Sequence, residues 1–322
     1  MKSLFPLLIR SSPFRVYRVC ERLGFSALAL TCLLGATLIS GAPSAGAQQA
    51  GGAGQESWWG RYEARATATQ NMQPHWITPL VLVTPRLEQE FRTDFVHNYN
   101  PSGRAMWTYD NGKGLEFIPE KHTELLINLP PFFDHSNGEP DGFGDISFMM
   151  KERLFSRNEQ HGNGIVTFFL PGSIPTGKNG NGSCCAVVTP TLAMGKGYGR
   201  WDVETTAGGT LPVTNASGLG HIITWNSLLQ YHASDTGAQH GLGRFLWPEL
   251  ETNDSFYLGG ANDGRIASYL TPGLLIGRIP LGHNWGGTQG RLGLTIGAGE
   301  QIAVTHFNPY NHATVITARI PF

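Results

Sequence analysis

The sequence predicts an all-β protein, an antiparallel transmembrane β-barrel of about 12 strands within a range of roughly 10 to 14. Two observations on the whole chain favour this class. Charged residues make up only 15% of the 322 residues while Gly reaches 42, so the surface has fewer charges than that of a typical soluble domain. From about residue 80 onward, apolar and aromatic segments alternate with clusters of Gly, Pro, Asn and Asp, the pattern of many strands joined by turns.

Residues 1–47 are predicted to be a signal peptide. An apolar stretch at 24–39 follows a basic region and precedes Ala45, Gly46 and Ala47, which is the three-part pattern of a cleaved export signal. The apolar stretch is shorter than the ~20 residues that a membrane-spanning helix needs. Residues 48–79 are predicted to be a flexible N-terminal leader without regular structure, and residues 80–322 to form the barrel.

Net charge narrows the possible partners. Cleavage after residue 47 would remove five basic residues and one acidic residue, which changes the formal charge from -1 to -5. The mature chain has no basic run, so a nucleic-acid partner is not expected. The expected partners are outer-membrane lipid, the barrel-assembly machinery and a small-molecule substrate whose identity the sequence does not give.

The strands are predicted from segments bounded by turn residues. They lie at roughly 86–97, 114–129, 143–156, 164–174, 186–197, 201–213, 221–234, 245–258, 266–279, 291–304 and 312–322. A short segment near 76–84 is expected to complete an even number of strands, as in bacterial single-chain barrels.

Charged residues share one face of several of these strands. In segment 87–95 every second residue is charged, and the residues between them are Leu, Gln, Phe and Thr. Because side chains alternate across a strand, all of these charges lie on one face, and segments 145–154 and 201–205 show the same separation. These residues are predicted to face the lumen: Glu88, Glu90, Arg92, Asp94, Asp145, Lys151, Arg153, Asp202 and Glu204. They could brace the lumen through ion pairs or line a pathway for solutes, and the sequence leaves both roles open.

The last segment, 312–322, ends at an aromatic residue. Ile316, Ala318, Ile320 and Phe322 fall on one face, which resembles the signal that the barrel-assembly machinery recognises in outer-membrane proteins. Phe322 is therefore the predicted assembly signal.

Two internal motifs resemble a known family. Gly142-Phe-Gly-Asp145 opens a strand and Leu170-Pro-Gly-Ser-Ile-Pro-Thr-Gly177 ends the next, in the order found in the outer-membrane transporter-like family named after the meta-pathway of phenol degradation. The likeness covers roughly residues 80–322 and implies an outer-membrane barrel that passes aromatic or other hydrophobic compounds. Both motifs are expected to shape turns and strand ends rather than to bind a ligand.

Motifs for catalysis and cofactors are weak or missing. Gly172 to Lys178 fits the phosphate-loop spacing, but Asn179 stands where Ser or Thr is required. The sequence has no G-x-S-x-G elbow, no H-E-x-x-H and no C-x-x-C. No catalytic residue, metal ligand or cofactor is therefore predicted, and Cys184 and Cys185 are interpreted as a loop pair.

The predicted function is passive uptake of small molecules, including hydrophobic or aromatic ones, through an outer-membrane channel that is not an enzyme. Two alternatives remain. One is an outer-membrane barrel enzyme acting on lipid or a surface polymer, since barrel enzymes lack a single diagnostic motif. The other is a secreted soluble β-sandwich, which would show the same alternation of apolar and polar residues. Whether the lumen is open or plugged is left undecided.

Overall fold

The computed structural model describes residues 57–100, 102–111, 113–136, 138–213, 216–233, 242–281 and 292–322. The predicted signal peptide, 1–47, lies outside this part of the chain. Within it, no helix is both long enough and apolar enough to cross a membrane. The helices are α1 Trp58–Asn71 and α2 Ala216–Leu219, with short 3-10 turns at Glu159–His161, Leu242–Phe245 and Gly260–Asn262.

The remaining elements are strands. In chain order they are β1 Glu90–Tyr99, β2 Ala105–Tyr109, β3 Gly114–Glu120, β4 Thr123–Asn128, β5 Phe132–His135, β6 Gly142–Phe143, β7 Ile146–Arg157, β8 Gly164–Ile174, β9 Val187–Val188, β10 Thr191–Tyr198, β11 Trp201–Pro212, β12 His221–Tyr231, β13 Leu246–Leu258, β14 Ile266–Pro280, β15 Gly293–Ala303 and β16 His312–Pro321.

The strands form one closed antiparallel barrel. Each strand pairs with its neighbours along the wall, and the last strand returns to the first, from Glu90 opposite Pro321 to Tyr99 opposite His312. Four wall strands are interrupted, because β2 continues into β3, β4 into β5, β6 into β7 and β9 into β10, which leaves twelve. The predicted fold class and strand number are thus confirmed. A closed barrel also excludes the alternative of two packed sheets.

The outer face of the wall is apolar and the inner face is polar. Large side chains such as Phe148, Trp225 and Ile316 are exposed on the outside, while Glu204 and Thr317 are completely buried inside. Soluble monomers rarely expose large contiguous apolar patches, whereas exposed large apolar side chains occur on most strands of this wall. We call the end of the barrel where β1 starts and β16 stops the terminal end, and the other the opposite end.

Two of the predicted strands are wrong. The segment 114–129 is a hairpin of β3 and β4 rather than one strand. Its turn consists of Lys121 and His122, and neither is a typical turn residue, so the sequence gives no sign of the reversal. The segment 76–84 is not a strand, and the even number is completed instead by dividing 114–129 in two.

The N-terminal leader also differs from its prediction, because residues 58–71 form helix α1. Ser57 caps its start by accepting a hydrogen bond from the Gly60 N–H at 3.0 Å. Little of the helix is buried, mainly Ala66 and Thr69, so the sequence shows no clear amphipathic pattern. Side chains of β7 and the following turn donate hydrogen bonds to the carbonyls at the end of the helix. Arg153 donates to Thr69, Asn158 to Asn71 and Ser156 to Met72.

After the helix, residues 72–89 run inside the barrel. We call this stretch the plug. Its side chains Leu80 and Leu87 are fully buried, and Ile77 and Leu80 pack with Val96 and Trp247 of the wall. The plug therefore fills the space that a strand-only prediction leaves empty.

The seam between β1 and β16 gives a first prediction. The Asp94 carboxylate accepts hydrogen bonds from Arg92 at 2.8 and 3.0 Å and from the Thr317 hydroxyl at 2.5 Å, all buried. Asp94→Ala leaves the Arg92 guanidinium without its charged partner, so the free energy of unfolding should fall by about 3–5 kcal/mol. Urea unfolding in detergent or lipid measures this loss.

The matched control is Glu139→Ala. Glu139 pairs with Arg104 at 2.7 Å, but both side chains are about half exposed. An exposed pair contributes at most about 1 kcal/mol, so a similar loss in both variants would contradict the prediction.

Candidate functional site

The structure places eight of the nine predicted lumen residues inside the barrel. All eight have relative exposures of 6% or less. Seven of them lie on wall strands, whereas Glu88 belongs to the plug. The ninth, Asp145, lies between β6 and β7 at the opposite end.

Asp145 joins the two motifs that resemble the phenol-degradation family. Its carboxylate accepts hydrogen bonds from the Gly177 N–H at 2.8 Å and from the N–H and hydroxyl of Ser183 at 2.7 and 2.6 Å. Burial raises the pKa of Asp145, but these hydrogen bonds outweigh it and hold the pKa below its usual value. Asp145 thus fastens the 175–186 loop, which also contains the vicinal disulfide between Cys184 and Cys185.

The lumen contains charged residues that the sequence analysis did not single out. They follow the same alternation in β3, β4, β13 and β16, which is the signal that could have found them: Glu116, Glu124, Glu249, Glu251 and Arg319. Glu124 lies directly opposite Lys151 and pairs with it at 2.9 Å, so a cross-strand ion pair braces this part of the wall.

Two glutamates of β13 bind the backbone of the plug. Glu249 accepts a hydrogen bond from the Leu80 N–H at 2.9 Å, and Glu251 accepts from Val81 at 2.8 Å and Leu82 at 2.6 Å. Three successive N–H groups of the plug therefore point to two buried carboxylates. Each hydrogen bond of this kind contributes about 0.5–3 kcal/mol, and the contribution is largest when the acceptor is ionised.

Two arginines bind the neighbouring carbonyl groups. Arg319 of β16 donates to the carbonyls of Thr78 and Pro79, and Arg92 donates to that of Leu80. The plug backbone around Leu80 is therefore held from both sides, by carboxyl oxygens at its N–H groups and by guanidinium groups at its carbonyls. Buried backbone groups need such partners when they have no strand neighbour.

The second part of the plug, residues 85–89, is bound by side chains in the same way. The carbonyl of Pro85 accepts from the Thr167 hydroxyl, that of Arg86 accepts from Lys151 at 3.3 Å, and the Glu88 N–H donates to Glu124. The Gln73 side chain donates to the Leu87 carbonyl at 2.8 Å and accepts from the Leu87 N–H at 2.9 Å. These two hydrogen bonds join the beginning of the plug to its end.

Glycines on the inner wall make room for plug side chains. A Cβ built at Gly277 would lie 1.9 Å from Ile77, and one at Gly195 would lie 2.4 Å from Trp76. These distances are far below van der Waals contact, so only glycine permits the plug to lie this close to the wall.

Above the plug, toward the opposite end, lies a cavity of about 120 Å³. Its polar lining includes Asn98, Lys113 and Tyr310, and Leu80 and Val81 of the plug also line it. The plug therefore forms part of the boundary of this cavity.

At the terminal end, His75 and Glu159 anchor the start of the plug. The Glu159 carboxylate accepts from the His75 backbone N–H at 2.5 Å and meets its ring Nδ1 at 2.8 Å. Burial raises the pKa of Glu159, but the hydrogen bonds from His75 outweigh it and lower the pKa to about 2. Arg278 adds hydrogen bonds to the carbonyls of His75 and Trp76.

The plug contacts of Glu251 give a second prediction. Glu251→Ala removes the acceptor for Val81 and Leu82, so their amide hydrogens should exchange at least about tenfold faster, as expected for a loss of 1.4 kcal/mol or more. Hydrogen exchange followed by mass spectrometry measures this. Glu300→Ala is the control, because Glu300 contacts His312 and Thr314 on the outer face; equal acceleration in both variants would refute the role of Glu251.

The lowered pKa of Glu159 gives a third prediction. A carboxyl whose folded pKa is about 2 and whose ordinary value is 4.5 stabilises the fold fully above pH 4.5, and this contribution is lost as the pH falls toward 2. Wild type should be more stable than Glu159→Gln at pH 7, and the difference should vanish near pH 2. Unfolding midpoints across this range test the prediction, and a difference that does not change with pH would contradict it.

A scan against protein-family models finds no match for this chain, so the resemblance to the phenol-degradation family stays a prediction. Among curated proteins, catalase-peroxidase 2 of Shewanella sp. (strain ANA-3) is 26% identical over 92 residues, which are 28% of this chain but only 12% of that enzyme. So short a match shows neither family nor activity.

Among solved structures, an outer membrane channel from Pseudomonas putida F1 is 13% identical with a TM-score of 0.48, over 77% of this chain and all of that one. OccAB3 of Acinetobacter baumannii is 12% identical with a TM-score of 0.34, over 72% of this chain and 63% of its own. OpdK of Pseudomonas aeruginosa, solved with vanillate, is 12% identical with a TM-score of 0.32, over 76% and 74%. These likenesses are too distant to identify a family, and the barrel stands on its own strand pairing.

Proposed function

We propose that this protein is an outer-membrane channel for small molecules and that the structure describes its closed state. The observation that carries the proposal is the closed twelve-strand wall, which has an apolar outer face and a lumen lined by ionic side chains. Within lipid, strands can leave no backbone group unpaired, and a closed barrel satisfies this requirement. The proposed location is therefore the outer membrane, reached through a cleaved signal peptide.

Opening would require the plug to move rather than the wall to break. Plug residues 72–89 belong to no strand of the barrel. Their backbone partners are mainly side chains, and such hydrogen bonds can be exchanged for bonds to water or a solute more easily than a continuous ladder can be broken. The wall would keep all of its strand pairs while the plug changes position.

The proposed cargo is small and amphipathic. The cavity beside the plug combines apolar side chains such as Val96 and Val315 with Lys113, Gln301 and Tyr310. A mixed lining of this kind suits a molecule with an apolar body and a few polar groups. Aromatic compounds, which the family resemblance implies, belong to this class.

We do not propose an enzyme. Nδ1 of His75, of His161 and of His312 pairs with Glu159, Asn158 and Glu300, respectively, and these contacts alone assign no nucleophile. Within the described residues, no group of three or more His, Cys, Asp and Glu side chains could hold a metal ion.

Planar-bilayer recordings test the channel proposal. Wild type should show rare or small openings, and Glu251→Ala should raise the open probability at least severalfold, because it releases two plug amides. A second variant that lacks residues 57–89, which comprise helix α1 and the whole plug, should conduct continuously. Heat-modifiable gel migration verifies that each variant is folded.

Glu300→Ala is again the control and should behave as wild type. If folded wild type, Glu251→Ala and the deletion variant are all without conductance, and liposomes containing them take up no small solutes, the channel proposal is wrong. If wild type conducts freely and Glu251→Ala changes nothing, the protein is a channel but the plug is not its closure.

A further inference from the structure

The outer wall carries a groove near the terminal end that the channel proposal does not use. It is about 440 Å³ in volume and lies across β7, β8, β10 and β11. Most of its surface is apolar, and its outward side chains are Phe155, Val166, Met194, Val203 and Thr205. The rest of the lining includes glycines and two cations, Arg157 and Lys196.

The groove follows from a local irregularity of the wall. The register between β7 and β8 shifts between Arg153 and Phe155, and as a result both Leu154 and Phe155 are exposed on the outside. A β-bulge bends its strand and changes the direction of the following side chains. Beyond Phe155, Gly162 and Gly164 contribute no side chains, so the wall stays concave there.

The two cations stand at one end of the groove, beside the turn that joins β7 to β8. Lys196 donates a hydrogen bond to the carbonyl of Gly162, and a Cβ built at Gly162 would lie 3.6 Å from Cδ of Arg157. Within the described part of the chain, no carboxylate lies within 4.0 Å of either cation. The nearest acid in sequence, Glu159, is bound to His75.

Aromatic rings place this end of the groove at a membrane surface. The Arg157 guanidinium lies 5.4 Å from the ring centre of Phe155, and Lys196 Nζ lies 5.7 Å from that of Tyr198. Tyr198 and the neighbouring Trp201 are both strongly exposed on the outer face. Tyr and Trp concentrate where lipid headgroups meet the hydrocarbon region, and Lys and Arg extend their charges to the same level.

We propose that this groove binds one glycerophospholipid, with the phosphate between Arg157 and Lys196 and an acyl chain along Val166, Met194 and Val203. Charge complementarity selects this occupant, because two cations without carboxylate partners stand at the headgroup level and the apolar groove continues from them. The inference rests on the membrane location given in the proposed function, but not on conductance.

Native mass spectrometry of the full chain in a nonionic detergent tests the site. Phosphatidylglycerol should bind wild type as a single retained adduct, and Arg157→Gln/Lys196→Gln should weaken its binding at least about tenfold, as expected when two charge-assisted contacts are lost. Val203→Trp should reduce adduct formation by filling the groove. Arg265→Gln is the matched control, since Arg265 is another exposed cation over an aromatic ring, 4.7 Å from Phe307, at the opposite end.

Several outcomes would overturn the site. The first is equal phosphatidylglycerol binding by wild type and the double variant, and the second is an equal loss of binding in Arg265→Gln. The third is a wild type that retains inorganic phosphate but no lipid. The fourth is a dimer that Val203→Trp dissociates, which would make a second copy of the chain the occupant. Bilayer conductance is measured separately, so a conducting double variant that binds no lipid leaves the channel proposal standing and supports the site.

Discussion

The structure depends on one mutual constraint inside the barrel, between buried ionic side chains of the wall and the backbone of the plug. Glu249 and Glu251 would be costly to bury without hydrogen-bond donors, and the N–H groups of residues 80–82 have no strand partner. Each set satisfies the other. Arg92 and Arg319 do the same for the carbonyls. Removing either partner would leave the buried polar groups of the other unsatisfied.

The wall could be predicted from the sequence because its signal is local. A strand that faces lipid on one side and a polar lumen on the other must alternate residue by residue, and the alternation at 87–95 shows this without any knowledge of partners. Eight of the nine charges chosen in this way are buried in the lumen. Glu249 and Glu251 obey the same rule, so a stricter application of it to β13 would have found them.

The plug and helix could not be predicted in this way because their stabilising contacts are distant in sequence. Val81 and Leu82 are held by a residue 170 and 169 positions away, and helix α1 is capped at its end by side chains of β7 and the following turn. The segment 76–84 carries apolar residues that look like a strand. Trp76 and Ile77 in fact fit against wall glycines at 195 and 277, a match that only the closed barrel creates.

The sequence left open whether the lumen charges brace the barrel or line a route. The structure shows several of them bracing the wall and the plug, and the proposed channel function would also make them part of a route. The charges that hold the plug, Arg92, Glu249, Glu251 and Arg319, are buried inside the described wall. The wall is fixed by backbone ladders around its whole circumference, whereas the plug is fixed largely by side chains. Local opening in proteins begins where few such ladders contribute. Under the proposed channel function, a plug bound to ionic groups would leave its position while those groups, hydrated by incoming water, become the lining of the path that it opens.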